Sequence, residues 1–240
     1  RSVASTSDAA GVPERAAWPL PPGISQRRPW VEGSHPTVVA AYGRATVNDQ
    51  QLIADATAWR ERASRLLEAS DLPALLGEHG RVVFSGSYAY DTMMSADIDL
   101  HLLQNAFCRQ SAVEVLDALI RQDWWNTYSF GDWVQERFRA TVGGRVPRGY
   151  HVKLGATFEG MSWNVDAWML DQGRYAGDLW AARMATITGE QRLAILRLKR
   201  ARAVGDLQSL GVDIYAAVVD HDVMTPEAFL AWQATNRAAE

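Results

Sequence analysis

From Asn48 onward the apolar residues repeat with two different periods. Leu52, Ala56, Trp59, Ala63 and Leu66 recur every three or four positions, the spacing of one helical face. Asn48 is a good N-cap and Asp49, Gln50 and Gln51 suit a first turn, so a helix is predicted from there to 69–70, ahead of Pro73. A short helical turn over 73–78 leads to Gly80, where the period changes. Val82, Val83 and Phe84 are β-prone and stop at Ser85-Gly86-Ser87. A short helix over 88–94, a strand over 96–102 and a helix over 112–121 follow, the last with Val113, Leu116, Leu119 and Ile120 as its apolar face. Two strands over 150–158 and 162–170, joined at Glu159-Gly160, read as a hairpin. Helical periods then run over 189–204, 210–220 and 226–236.

This order predicts an α+β fold: a short mixed sheet flanked by helices, followed by a C-terminal helical region. Residues 1–36 are rich in Pro, Gly, Ser and Ala, and Pro19, Pro21 and Pro22 preclude a regular helix, so they read as an arm. The divisions expected are the arm at 1–36, a mixed α/β domain at 37–172 and a helical domain at 173–240. With 240 residues, 48% hydrophobic and 22% charged, the chain has the composition of a soluble globular protein with a sizeable core. One cysteine, Cys108, excludes an intrachain disulfide and suits a cytoplasmic location. The longest apolar runs are too short for a membrane span, and the first residues have no apolar stretch of a secretory signal. The chain opens on Arg1 rather than Met, which leaves room for residues before it. A net charge of −4 argues against gripping long nucleic acid, so nucleic acid is not expected as a partner.

The candidate chemistry lies in three carboxylates. Asp97 and Asp99 are two apart on a strand, hence on one face and roughly 6.5–7 Å apart along the backbone. Like charges so placed repel unless something positive lies between them. Mg²⁺ ions, about 3.5–4 Å apart in two-metal sites, answer that need. In 163–169, alternation puts Trp163, Val165, Ala167 and Met169 on one face and Asn164, Asp166 and Trp168 on the other. An acid amid such an apolar strand is costly unless paired or metal-bound. Gly86-Ser87 precedes Asp97 by ten residues. A glycine there lets backbone approach a phosphate, and the serine hydroxyl and following N–H groups can hold phosphate oxygens. Each feature alone is commonplace: most Asp-x-Asp pairs are solvated strand faces, and most Gly-Ser pairs are ordinary turns.

Taken together, the stretch FSGSYAYDTMMSADIDLHL over 84–102 resembles the DNA polymerase beta-like nucleotidyltransferase superfamily, particularly its compact bacterial members and antibiotic nucleotidyltransferases. The likeness runs over 81–104, and 163–170 stands where the family's third acid is expected. It implies Mg²⁺-dependent transfer of a nucleoside monophosphate from an NTP, with ATP the expected donor, to a hydroxyl of a small-molecule acceptor, releasing pyrophosphate. Asp97 and Asp99 would bind both of two Mg²⁺ ions. Asp166 would bind the catalytic one and help remove the acceptor's proton. Gly86 and Ser87 would hold the β- and γ-phosphates. A homodimer is left open. Two alternatives stand beside this: the same chemistry on a protein or tRNA, as in toxin–antitoxin pairs, or a non-catalytic nucleotide-binding module.

Lys199 supports the nucleotide site. On a helical wheel it falls between Ile195 and Leu196, inside the apolar face, where a lysine wants an anion. Ser209, in the turn after that helix, is a second phosphate candidate by resemblance. His101 shares the face of Asp97 and Asp99 and reads as a neutral histidine capping the strand end or as part of the site's rim, and Trp168 shares the face of Asp166, where a ring could stack. Asp171, Asp178 and Asp206 are the acids available to a cationic acceptor. Asp91, between Ser87 and Asp97, reads as a helix-surface acid, and Arg148 and Lys153 could meet an acidic acceptor, although no spacing argument supports either.

Overall fold

The computed structural model describes residues 48–142 and 146–237, so the arm expected at 1–36 lies outside the described residues. Helix α1 (Asp49–Ser70) starts where its cap predicts: the Asn48 side chain accepts the Gln51 N–H at 2.8 Å, and Asp71 ends the helix at a left-handed φ of 49°. Its stripe of Leu52, Ala56, Trp59, Ala63 and Leu66 is buried throughout. Helix α2 (Leu72–Gly77) leads into strand β1 (Arg81–Ser85), a single helical turn α3 (Gly86–Ala89) and strand β2 (Asp97–Gln104). Helix α4 (Arg109–Ile120), strand β3 (Thr127–Asp132) and short helix α5 (Glu136–Arg139) precede the hairpin of β4 (Tyr150–Phe158) and β5 (Met161–Asp171). The remainder is helical: α6 (Ala181–Met184), α7 (Gly189–Ala203), α8 (Gly211–His221) and α9 (Pro226–Arg237).

Among the described residues the strands form one mixed sheet in the order β1-β2-β5-β4-β3, parallel only between β2 and β5. The fold is therefore α+β, a five-stranded mixed sheet flanked by helices with a helical region after it. Glu159 and Gly160 both take positive φ, 48° and 74°, the backbone of a two-residue hairpin turn whose twist matches its strands. One sheet face carries Ile98, Leu100 and Leu102 from β2, Val152 and Leu154 from β4, and Trp163, Val165, Ala167 and Met169 from β5. All pack with α1, α2 and α4 into the larger core, where Trp59 meets Trp163 edge-on at 5.9 Å. Ile195, Leu198, Ile214, Val218 and Phe229 form a second core among α7, α8 and α9. Leu52 and Ala56 of α1 meet Leu196 of α7 and Met94, which joins the two halves.

Three readings of the sequence are corrected. The helix expected over 88–94 is the single turn α3, because Asp91 takes a left-handed φ of 56° and the Thr92 N–H returns to the Ser87 carbonyl. Strand β3 had no counterpart in the sequence reading. On α4, Leu119 of the expected face is buried and Leu116 packs against the core, but Val113 and Ile120 are 44% and 53% exposed, and Ala112 and Val115 are buried in their place. Both sets have helical spacing, so periodicity alone does not choose between them.

Candidate active site on the open face of the sheet

The second face of the sheet is polar, and strand pairing sets its residues in rows. Ser85, Asp99, Asp166, Lys153 and Ser129 lie opposite one another across β1, β2, β5, β4 and β3. The next row is Val83, His101, Trp168, His151 and Gly131. Strand alternation puts Asp97 and Asp99 on this face, as predicted, and the parallel β2–β5 pairing sets Asp99 directly opposite Asp166. Asp97, Asp99 and Asp166, all half-buried, each offer one carboxylate oxygen within 4.8 Å of the other two. Three hard oxygen donors at that separation suit a divalent cation such as Mg²⁺.

Gly86 is required at this point by space as well as by its φ of +60°. A Cβ added there would stand 2.1 Å from Asp99 Oδ2, so the loop backbone is pressed against the carboxylate. Ser87 follows, buried, in the one-turn helix α3. The sequence motif and the acid site are thus one place.

Asp166 is held at both oxygens. His151 Nε2 lies 2.8 Å from Oδ1, and Lys153 Nζ donates to Oδ2 at 2.9 Å. Burial pushes this carboxyl upward. The His151 hydrogen bond, with the charge and hydrogen bond of Lys153, outweighs burial and holds it below the ordinary carboxylate value. His151 had no role in the sequence reading, and Lys153, weighed there as a contact for an acidic acceptor, is paired with Asp166. His151 also lies against Trp168, ring centroids 4.6 Å apart, so Trp168 does share the face of Asp166.

Lys199 is 5% exposed in α7. Its ammonium donates to the Tyr215 hydroxyl at 2.8 Å and lies 4.8 Å from that ring's centroid. Tyr215 in turn is 3.3 Å from Thr92 Oγ1. Burial first, and the Asp99 charge among further causes, raises its hydroxyl. Lys199 is therefore linked through one tyrosine to the surroundings of Asp99. Ser209 sits just before α8 with a buried hydroxyl that has no hydrogen-bond partner. His101 is mid-strand rather than at a strand end, 3.1 Å from the Tyr175 hydroxyl, and burial lowers its imidazole despite the nearby charge of Asp178. Asp178 accepts from the Tyr90 hydroxyl, Asp171 pairs with Arg174 and Asp206 is exposed. Asp91 pairs with Arg192 and Arg60, which makes it a structural link rather than a surface acid. Arg148 donates to the Val134 carbonyl.

No family model matches the sequence, and no curated protein does. Solved structures do match. A cytoplasmic RNA terminal U-transferase is 13% identical with a TM-score of 0.42, covering 76% of this chain and 49% of its own. The Cid1 poly(U) polymerase with Mg and 3′-dATP is 16% identical with a TM-score of 0.37, covering 69% and 46%. A variant of that polymerase bound to MgATP is 15% identical with a TM-score of 0.40, covering 72% and 49%. The chain spans about half the length of these structures. They are RNA-acting enzymes, and the expectation that nucleic acid is not a partner is withdrawn. Its physical basis was also too broad: counter-ion release governs proteins that neutralise many phosphates, whereas holding one strand end needs few such contacts. Among the described residues no helix is long and apolar enough to cross a membrane.

Proposed function

We propose that the chain is a metal-dependent nucleotidyltransferase that moves a nucleoside monophosphate from an NTP to an acceptor hydroxyl. The observation that carries this reading is the convergence of Asp97, Asp99 and Asp166 within 4.8 Å, with Asp99 pressed against Gly86. Asp97 and Asp99 would hold divalent cations, with Asp166 as a further ligand. Such ions, when bound, neutralise triphosphate charge and polarise the reacting oxygens. The backbone of Gly86 and the hydroxyl of Ser87 hold the β- and γ-phosphates, and Lys199 and Ser209 approach the triphosphate from the helical half. Asp166 orients the acceptor hydroxyl and receives its proton. The acceptor oxygen forms a bond to the α-phosphorus as the bond from that phosphorus to the bridging oxygen breaks, and pyrophosphate leaves. Most of the acceleration is positioning and charge neutralisation.

The finer reading takes ATP as donor and a small-molecule hydroxyl as acceptor. A terminal hydroxyl of RNA, since the matched structures include RNA terminal uridylyl transferases, is a second acceptor to be tried beside it. The deciding experiment is a thermal-shift series with the four NTPs, with and without Mg²⁺. Ligand at about 100 times its dissociation constant stabilises by roughly 2.7 kcal/mol. The expected result is a Mg²⁺-dependent shift with at least one NTP, lost in Asp97→Ala. Pyrophosphate release is then followed with a short RNA and with antibiotic acceptors. No shift with any NTP would overturn the reading.

A further inference from the structure

Asp166 is held at both of its carboxylate oxygens by donors from a neighbouring strand. A lysine ammonium lies 2.9 Å from one of its oxygens and an imidazole nitrogen 2.8 Å from the other. Both donors come from β4, directly across and one step along from Asp166 in the strand pairing. They are fixed by sheet geometry rather than by a flexible loop, and their side chains are only 29% and 18% exposed. The row therefore already contains a monovalent cation, placed on the acid that a two-ion site would give to its second metal.

We propose that Lys153 is a built-in cation that stands in for one of two divalent ions, so that the nucleotide-bound chain holds a single metal ion, shared by Asp97 and Asp99. This rests on the nucleotidyltransferase reading and refines it. A second dication at Asp166 would have to sit beside the Lys153 ammonium, and like charges at such separations in a half-buried site repel strongly. An ammonium cannot ligate the acceptor oxygen as a metal does. It can neutralise Asp166, hold its plane together with His151 and offer a hydrogen bond to the acceptor oxygen. Lys153 and His151 are on this account positioning residues for the third carboxylate.

The number of bound Mn²⁺ ions, counted by electron paramagnetic resonance on the whole chain with saturating α,β-methylene NTP analogue, tests this without turnover. Wild type is expected to bind one ion per chain. Lys153→Met should bind two, and Lys153→Arg, which keeps the charge, should bind one. A lysine that only braces the strands would leave the count the same in every variant. Two ions in wild type, or one in a folded Lys153→Met, overturn the proposal while the nucleotidyltransferase reading stands. Failure of wild type to bind any Mn²⁺-analogue complex overturns both. Lys153→Gln repeats the measurement if the methionine variant does not fold.

Discussion

The two faces of the sheet are made by the same strands, yet they obey different rules. On β2, Ile98, Leu100 and Leu102 are wholly buried, while Asp97, Asp99 and His101 between them are half-buried. On β5, Val165, Ala167 and Met169 lie in the core, while Asn164, Asp166 and Trp168 look outward. The core face gains by removing apolar surface from water, at about 25 cal/mol per Å². The open face does the opposite. It gathers three acids and sets Lys153 and His151 against one of them. One face buries apolar surface and the other gathers the side chains of the candidate site.

Single substitutions on each face can break this division. The largest effect is expected from Asp99→Ala: transfer should fall roughly 10³-fold, the worth of several kcal/mol of charge stabilisation, while the melting temperature holds or rises. Pyrophosphate release and a thermal melt on the same sample would check it, and a lowered melting temperature would place Asp99 among the stabilising residues. One residue further along the strand, Leu100→Ala should cost about 2–5 kcal/mol in urea unfolding and leave turnover per folded molecule intact. Gly86→Ala probes the seam between the faces. Its Cβ would meet Asp99 Oδ2 at 2.1 Å, at a backbone φ of +60°. A loss of about 1–3 kcal/mol is expected, with a drop in activity larger than that loss accounts for at temperatures where the variant is folded. The smallest effect is a pH dependence. His101 is lowered by burial, so the fold favours its neutral form. Its contribution is complete above the unfolded value of about 6.5 and is lost as pH falls through the lower folded value. Urea midpoints measured on acidification should fall less steeply in His101→Gln than in wild type.

The sequence was most informative where signals are local or depend only on strand parity. Asn48, the stripe of α1 and the alternation around Asp166 needed no knowledge of what lies opposite. The partners of Asp166 did, since they lie on another strand. A usable clue existed: with a two-residue turn at Glu159-Gly160, counting outward pairs Phe158 with Met161 and Lys153 with Asp166. Strand β3 escaped because Gly131 and Asp132 close it with turn-forming residues, although Tyr128 and Phe130 alternate and pack on the core. Lys199 was recognisable as an inward lysine, but Tyr215 as its partner comes from a different helix and left no mark in spacing.

The hairpin turn has a consequence for how the chain tolerates change. Surface turns ordinarily accept insertions most readily. This one lies at the surface, its Glu159 gripped by Arg65 of α1 through hydrogen bonds of 2.8 Å at both carboxylate oxygens. One extra residue between Glu159 and Gly160, if the strands slid to absorb it, would bring Leu154 or Val152 to the open face and send Lys153 into the core. The turn sets an odd–even count for everything upstream on β4, and so a distant, solvated loop carries the same intolerance to length change as the carboxylates themselves.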